Sequence, residues 1–137
     1  MKVLILQGLP GSGKSTYAKE LTSKGWKRIN RDLLREMLDN NYYTKKNEKL
    51  IRLIRDNILE ICLINDFDVV IDDTNFEQKQ IDRIKSVAGC LGCEVEVLFI
   101  DTPLKVCIER DEARERTVGK DVINQMYNKY VKHIKER

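Results

Sequence analysis

The chain has 137 residues, which suits one domain and is too short for two ordinary ones. Its 42% hydrophobic and 34% charged residues predict a packed core under an ion-rich surface and exclude a largely disordered chain. The formal net charge of +3 is compatible with a polyanionic partner but does not indicate one. No apolar run reaches the roughly 18 residues of a membrane span, so no membrane contact and a cytoplasmic location are expected.

Short apolar runs alternate with helical patterns along the whole chain. In chain order, the pattern predicts strands at 3–6, 26–29, 69–71 and 94–100, and helices at 14–23, 31–39, 48–64, 74–88, 103–112 and 122–134. Thr74 and Glu77 have capping-box spacing, and Thr102 stands before Pro103 as a helix cap would. This alternation predicts an α/β fold in one domain, 1–137, with a four-stranded parallel sheet between helices on both faces.

The strongest motif follows the first strand. Residues 8–15 satisfy G-x-x-x-x-G-K-[ST] between an apolar strand and a helix, which is the context of a phosphate-binding loop, or P-loop. Lys14 is expected to be exposed and to reach the β- and γ-phosphates of ATP or another nucleoside triphosphate, and Ser15 offers a hydroxyl to Mg²⁺. The predicted nucleotide-binding residues here are Gly8, Pro10, Gly11, Ser12, Gly13, Lys14, Ser15 and Thr16. The alternative is an ordinary Gly-rich turn.

Two carboxylates follow the third strand, in the run Asp72-Asp73-Thr74-Asn75. Carboxylates at the end of an apolar strand can hold Mg²⁺ or its water ligands beside a P-loop. Taken alone, either aspartate could instead cap the following helix.

A carboxylate and guanidinium groups follow the second strand, in the run from Asn30 to Arg35. Asp32 and Arg35 are three residues apart and share one helical face. By spacing alone, a catalytic pair and a surface salt bridge with a helix cap are equally good interpretations.

Three arginines, Arg110, Arg114 and Arg116, precede a Gly-containing segment. Arginines on a closing lid can neutralise charge on a phosphoryl group in transit. The ordinary alternative is a solvated charged helix.

In combination, these motifs resemble the kinase domain of phage-type 5′-hydroxyl polynucleotide kinases. The resemblance is carried by the P-loop, by Asn30-Arg31-Asp32-x-x-Arg35, by Asp73-Thr74-Asn75 and by 110–114, and the segment 43–46 is also similar to that group. It spans nearly the whole chain in the same order. It implies a P-loop NTPase-type three-layer sandwich with an Arg-bearing lid, ATP and Mg²⁺ as cofactors, and the 5′-hydroxyl ends of nucleic acids as partners.

The resemblance also implies residue roles. Lys14 and Ser15 would serve ATP and Mg²⁺, with Asp32 as general base and Arg35 on the acceptor's neighbouring phosphate. Asp73 would lie at the metal and, with Asn75, on the substrate side, and Arg110 and Arg114 would contact the donor nucleotide. Asp72 stands where that family often has a small residue, so which carboxylate faces the metal stays open.

Other functions remain possible from the sequence. The chain lacks the Asp-x-Asp-x-Thr motif of a phosphatase domain, so 3′-phosphate removal is not expected. A small-molecule kinase on the same scaffold is the main alternative, and a non-catalytic ATP-binding module is the second. Basic residues on the predicted acceptor side favour an anionic polymer modestly over a sugar; these are Arg28, Arg31, Arg35, Lys45, Lys46 and Arg52.

The cysteines do not form a ligand set that would indicate a structural metal. Cys90 and Cys93 form a single C-x-x-C, and His133 is the sole histidine of the chain. Because a structural zinc site usually needs four ligands, reduced thiols are the expected state, with a redox pair as the alternative.

Overall fold

The computed structural model describes residues 1–115 and 117–136. Within this part of the chain, four parallel strands form one sheet in the order β2-β3-β1-β4: β1 (Lys2–Gln7), β2 (Lys27–Ile29), β3 (Val69–Asp72) and β4 (Glu94–Phe99). The central strands β1 and β3 are largely apolar and buried, as expected for strands covered on both faces, whereas the edge strands β2 and β4 carry charged residues. The parallel sheet predicted from the sequence is therefore confirmed.

Helices follow each strand. Their bounds are α1 (Lys14–Thr22), α2 (Arg31–Asp39), α3 (Lys45–Ile64), α4 (Gln78–Cys90), α5 (Leu104–Glu112), α6 (Lys120–Met126) and α7 (Lys132–Lys135). A π-helical turn (Tyr127–Val131) joins the last two. None of the helices in the described ranges is long and apolar enough to cross a membrane.

Alternating residues of β1 divide the core into two layers. Val3 and Ile5 face the layer that holds α3 and α4, whereas Leu4 and Leu6 face α1 with Ala18. Successive side chains of a strand point to opposite faces, so one apolar strand can support helices on both sides. The three-layer sandwich is thereby confirmed.

The strand register positions the site. Leu6 of β1 pairs with Asp72 at the end of β3, and the amide of Gly8 donates to the carbonyl of Thr74 at 3.2 Å. The Gly-rich loop after β1 and the carboxylates after β3 therefore lie side by side at the carboxyl edge of the sheet, where open α/β sheets bind ligands.

Helix α3 differs most from its predicted course. It begins at Lys45 rather than Glu48, because the Thr44 hydroxyl accepts a hydrogen bond from the amide of Asn47 at 3.0 Å and caps the helix. Its sequence predicts an apolar stripe at Leu50, Ile51, Ile54, Ile58, Ile61 and Cys62, but Leu50 and Ile61 are exposed. Ile51 is buried as predicted, and Arg55, Leu59 and Leu63, which lie outside that stripe, are buried with it.

Two predicted caps and one predicted stripe position are also wrong. Helix α4 begins after Glu77, whose side chain makes no capping bond, so Thr74 and Glu77 form no capping box. Thr102 does not cap α5; its hydroxyl donates to the carbonyl of Ser12 at 2.6 Å and ties the segment before α5 to the Gly-rich loop. The sequence also predicts an apolar core stripe along the last helix that begins with Val122 and Ile123; Ile123 is buried, but Val122 is exposed.

Candidate active site

A cavity of about 620 Å³ opens at the carboxyl edge of the sheet. Its lining combines the Gly-rich loop with the ends of β2 and β3 and with the α5 region. The residues are Pro10, Gly11, Gly13, Lys14, Ser15, Thr16, Tyr17, Glu20, Asn30, Asp32, Asp72, Asp73, Thr74, Arg110, Arg114 and Val118. The four sequence clusters are thus brought together in one site.

The Gly-rich loop has a backbone that only glycine tolerates at two positions. Gly11 and Gly13 have φ of 81° and 104°. A Cβ on Gly11 would also lie 2.5 Å from the carbonyl oxygen of Cys107, so α5 packs directly on the loop. This curl, together with the start of α1, forms the kind of cradle that binds phosphate oxygens through backbone amides.

Lys14 is buried rather than exposed, which corrects the expectation from the sequence. Only 8% of it is accessible, and its Nζ donates to the carbonyls of Gly8 at 2.9 Å and Leu9 at 2.8 Å. Burial lowers the pKa of Lys14 to about 8, although the nearby carboxylates of Asp72 and Asp73 partly oppose this. The ammonium is thus held by the loop that it would leave to meet a phosphate.

Ser15 and Asp72 are joined through Arg28 of β2. The guanidinium of Arg28 donates from Nε to Asp72 Oδ2 at 2.8 Å, and its Nη2 lies 2.6 Å from the same oxygen and 3.2 Å from Ser15 Oγ. The Arg28 guanidinium therefore lies between the Ser15 hydroxyl and the Asp72 carboxylate, two groups that could bind one cation together. The residues fit Mg²⁺, which prefers such oxygen ligands together with phosphate oxygens.

Asp73, the predicted metal ligand, points to a different partner. Its carboxylate accepts from the amide of Arg31 at 3.0 Å and from Arg31 Nε at 3.3 Å. Burial raises the pKa of Asp73 to about 6, with Arg31 opposing the shift. Of the two aspartates, Asp72 is the one that the structure places beside Ser15.

Asp32 and Arg35 form an ion pair at the mouth of the cavity. The Asp32 side chain is 83% exposed and accepts a hydrogen bond from Arg35 Nη1. Arg35 also donates to Glu48 of α3, from Nε at 2.6 Å and from Nη2 at 2.8 Å. Hydrogen bonding from Arg35 lowers the pKa of Glu48 despite its burial. The cap of α2 is Asn30, whose Oδ1 accepts from the amide of Leu33 at 2.9 Å, so Asp32 is not needed as a cap.

Arg110 and Arg114 both reach the cavity from the end of α5. Arg110 Nη1 donates to the carbonyl of Gly11 at 3.3 Å, and Arg114 donates to buried Asp111. Asp111 also accepts from the amides of Val118 at 3.0 Å and Gly119 at 2.9 Å. Burial alone would raise the pKa of Asp111, but these donors outweigh it and lower that pKa. Asp111 thus anchors both ends of the Arg-bearing segment; Arg116 lies outside the described residues.

Asn75, expected on the substrate side, lies in the interior and does not line the cavity. It is 1% exposed and has a left-handed φ of 51°. Its Nδ2 donates to the carbonyl of Leu6 at 2.6 Å, and its own carbonyl accepts from Gln7 Nε2 at 3.0 Å. Asn75 therefore joins β1 to the end of β3 and supports the site from behind.

The sequence does not indicate the site roles of three residues, Arg28, Glu48 and Asp111. It indicates only a charge for Arg28, because nothing in a three-residue strand shows which carboxylate the guanidinium meets. It predicts Glu48 as the start of a helix. Asp111 is flanked by charged residues, so only its burial distinguishes it from a solvated side chain. A carboxylate one helical turn before Arg114 was the available signal.

We expect Arg28→Ala to lower the free energy of unfolding by about 3 kcal/mol or more, because it leaves the buried Asp72 carboxylate without its partner. Urea unfolding measures the loss. Mg²⁺ should restore more stability to Arg28→Ala than to the original chain, since the ion would bind beside Asp72. Arg83→Ala, which removes an ion pair outside the cavity, serves as the control. An equal response of both variants to Mg²⁺ would contradict the assignment of Asp72 to the cation.

The comparisons with known proteins agree with this architecture. A family model described as an AAA domain matches residues 3–133. A solved structure of the Pnkp1/Rnl/Hen1 RNA repair complex contains a chain that superposes with a TM-score of 0.84 and 25% identity, over 98% of this chain and 45% of that one. The fold is therefore that of P-loop kinases, and the resemblance to polynucleotide kinases is confirmed.

Two curated relatives are similar in sequence. The L-seryl-tRNA(Sec) kinase of Methanococcus maripaludis is 27% identical over 93% of this chain and 52% of its own length. A bifunctional polynucleotide kinase/RNA ligase of Autographa californica nuclear polyhedrosis virus is 31% identical over 96% of this chain and 21% of its own. The chain thus spans about half of the first relative and a fifth of the second.

Proposed function

This chain belongs to the AAA domain family, and on that premise we propose that it transfers the γ-phosphate of ATP to the 5′-hydroxyl end of a nucleic acid. The observation that carries the proposal is that one cavity is lined by both the phosphate-binding loop and Asp32. A module that only binds ATP has no need of this further carboxylate after β2. Two of the similar proteins carry polynucleotide kinase names or belong to an RNA repair complex.

The donor triphosphate would lie along the Gly-rich loop. Backbone amides of the loop and the start of α1 would bind its oxygens, and Lys14 would exchange the carbonyls of Gly8 and Leu9 for the phosphates. Arg110, which donates to the carbonyl of Gly11, and Arg114 line the same cavity and would neutralise charge that develops on the transferred group.

Mg²⁺ would bind between Ser15 and Asp72, where Arg28 now lies. The ion would neutralise charge on the β- and γ-phosphates while transfer occurs. Arg28 would have to turn away from Ser15 to admit it. Asp73 would support the acceptor side through Arg31 instead of binding the ion, because its carboxylate already accepts two hydrogen bonds there.

The acceptor hydroxyl would approach between Asp32 and the γ-phosphate. Asp32 Oδ1 accepts from Arg35, which leaves Oδ2 to take the hydroxyl proton as the new oxygen–phosphorus bond forms and ADP departs. Arg35 is fixed by Glu48, and its guanidinium has further N–H groups that neither carboxylate uses. These would bind the phosphate next to the reacting hydroxyl.

A second candidate is transfer to a hydroxyl carried by an aminoacyl group on a transfer RNA, and it is favoured by the likeness to the seryl-tRNA kinase. The transfer RNA would contact the same basic residues on the acceptor side, but the reacting hydroxyl would belong to the aminoacyl group and not to a terminal nucleotide. A small-molecule acceptor is the further alternative.

An acceptor panel tests the proposal. With γ-labelled ATP, a nucleoside 3′-phosphate should be a far better acceptor than the bare nucleoside, because Arg35 offers a charge-assisted contact that the bare nucleoside cannot use. A 5′-hydroxyl oligonucleotide should be labelled as well, whereas seryl-tRNA, sugars and the same oligonucleotide with a 5′-phosphate serve as comparison substrates. Equal labelling of nucleoside and nucleoside 3′-phosphate would contradict the proposal and favour a small-molecule kinase.

A further inference from the structure

Exposed aromatic and cationic side chains lie together where α2 passes into α3. We call this surface the tyrosine–lysine rim; its residues are the exposed Tyr42, Tyr43, Lys45, Lys46 and Lys49, together with the half-buried Arg52. Tyr42 and Tyr43 are 70% and 67% exposed. Single exposed aromatics are ordinary on protein surfaces, but two neighbouring tyrosines beside a run of cations are a composition that single-stranded nucleic acid binds.

The rim begins at the acceptor side of the cavity. Glu48 lies in the first turns of α3 and binds Arg35, which in turn binds Asp32. Lys45 and Arg52 are three residues before and four residues after Glu48, so they share its helical face. Arg52 and Arg31 are both close enough to Glu48 to help lower its pKa. Lys45 and Arg52 therefore place cations of the rim beside the position proposed for the acceptor's first phosphate, and Lys46 and Lys49 lie on the adjoining surface of α3.

The two tyrosines are held outward by their backbone. Asn40 and Asn41 have left-handed φ of 47° and 65°, which reverses the chain after α2. The amide of Tyr42 donates to the carbonyl of Asp39 at 2.9 Å, and its carbonyl accepts from Asn47 Nδ2 at 3.2 Å. The turn thus fixes where the rings begin, while the rings themselves stay in solvent.

We propose that the tyrosine–lysine rim binds the unpaired nucleotides that follow the 5′-terminal nucleotide of the acceptor strand. This inference rests on the proposed function and names the form of its substrate. The cations would contact successive phosphates, and the rings of Tyr42 and Tyr43 would stack on bases. Stacking needs bases that are not already paired and stacked in a duplex, so the rim selects single strands or overhanging 5′ ends.

Binding of a labelled oligonucleotide tests the aromatic part. The probe is a single strand of about 12 nucleotides with a free 5′-hydroxyl and a 3′-fluorophore, a length within the usual range for such sites. Replacing Tyr42 and Tyr43 together by alanine should weaken binding by about tenfold or more, measured by fluorescence anisotropy. Replacing both by phenylalanine keeps the stacking surface and should preserve the affinity. Phe67→Ala, at the amino edge of the sheet, is the aromatic control.

Salt dependence tests the cationic part. Each of Lys45→Ala and Lys46→Ala should lower the slope of log affinity against log salt by about 0.7, the value for one lost contact to a single-stranded phosphate. Lys85→Ala, an exposed lysine of α4, should leave the slope unchanged.

Three outcomes would overturn the inference: unchanged affinity in the double alanine variant, an unchanged salt slope in both lysine variants, or equal binding of a blunt duplex of the same sequence. Kinetics separates this failure from failure of the proposed function. If the inference holds, the tyrosine changes raise KM for the oligonucleotide and leave KM for a nucleoside 3′-phosphate unaltered. If no 5′-hydroxyl is ever labelled, the proposed function fails, and the binding measurement still decides whether the rim holds a strand.

Discussion

Replacing Asp32 with asparagine is expected to lower the rate of transfer to a 5′-hydroxyl oligonucleotide by about 10²-fold or more, the usual consequence of losing a general base. Asparagine keeps the size and the hydrogen-bonding reach of the side chain but cannot take the hydroxyl proton. ATP affinity should change little, since Asp32 contacts Arg35 on the proposed acceptor side and is not part of the phosphate-binding loop. Single-turnover kinetics with saturating ATP measures the chemical step directly.

The structure sharpens this test because it removes one competing explanation. Asn30 caps α2, so Asp32→Asn should not disturb the helix through its cap. What remains is the ion pair with Arg35, and an exposed pair of this kind contributes at most about 1 kcal/mol to stability. A normal melting temperature combined with lost transfer would therefore indicate that Asp32 acts in the chemical step and is not needed for stability.

A matched control lies on the same helix. Glu36 is exposed one turn after Asp32, so Glu36→Gln removes a similar charge from nearly the same surface without reaching the cavity. It should retain the transfer rate. If Asp32→Asn is as active as Glu36→Gln, the base lies elsewhere, and Asp72 and Asp73 are the next candidates.

The fold was predictable because its signals are local. The run from Val3 to Leu6 and the glycines after it specify a buried strand and a tight phosphate-binding turn within a dozen residues. The alternation of such strands with helical patterns then leaves few topologies. The gathering of Lys14, Asp32 and Asp72 at one edge followed from that topology, since carboxyl ends of parallel strands meet at one edge of the sheet.

The pairing of charges was not predictable from the sequence. Arg28 meets Asp72 across the β2–β3 register, at a sequence separation of 44 residues, and no spacing rule reaches that far. Arg35 binds Glu48 because α3 begins at Lys45, a boundary that depends on the single cap at Thr44. The resemblance implies a substrate-side role for Asn75, but its left-handed backbone turns the amide into the interior.

Lys14 provides the second large effect. Lys14→Ala should reduce transfer by on the order of 10²–10³-fold, because a charged donor aimed at the transferred phosphates is lost. The fold should persist, since the ammonium is held only by groups of its own loop, the carbonyls of Gly8 and Leu9 and the Ser12 hydroxyl, and its burial opposes its charge. Circular dichroism and melting temperature check the fold, and turnover at saturating Mg·ATP checks the activity. Near-normal turnover would contradict the donor site itself.

The lowered pKa of Lys14 should make the stability of the original chain depend on pH in a way that Lys14→Ala lacks. Burial lowers the pKa of Lys14 in the folded chain to about 8, from an ordinary value of 10.5. Below a pH of about 8, Lys14 is protonated in both the folded and the unfolded chain. Between about 8 and 10.5, Lys14 is protonated mainly in the unfolded chain. The contribution of Lys14 therefore makes the free energy of unfolding rise with pH in this window.

Nucleotide binding should show the opposite dependence. Phosphate oxygens beside Nζ favour the charged form, so binding above a pH of about 8 must take up a proton, and the affinity for ATP should fall as the pH rises further. Calorimetry at about pH 7 and about pH 9, in buffers of different ionisation enthalpy, counts that proton. Lys14→Arg keeps its charge at both values and should show neither the uptake nor the fall. A proton uptake that persists in Lys14→Arg would place the titrating group elsewhere in the cavity, and Lys14 would then enter the nucleotide complex already charged.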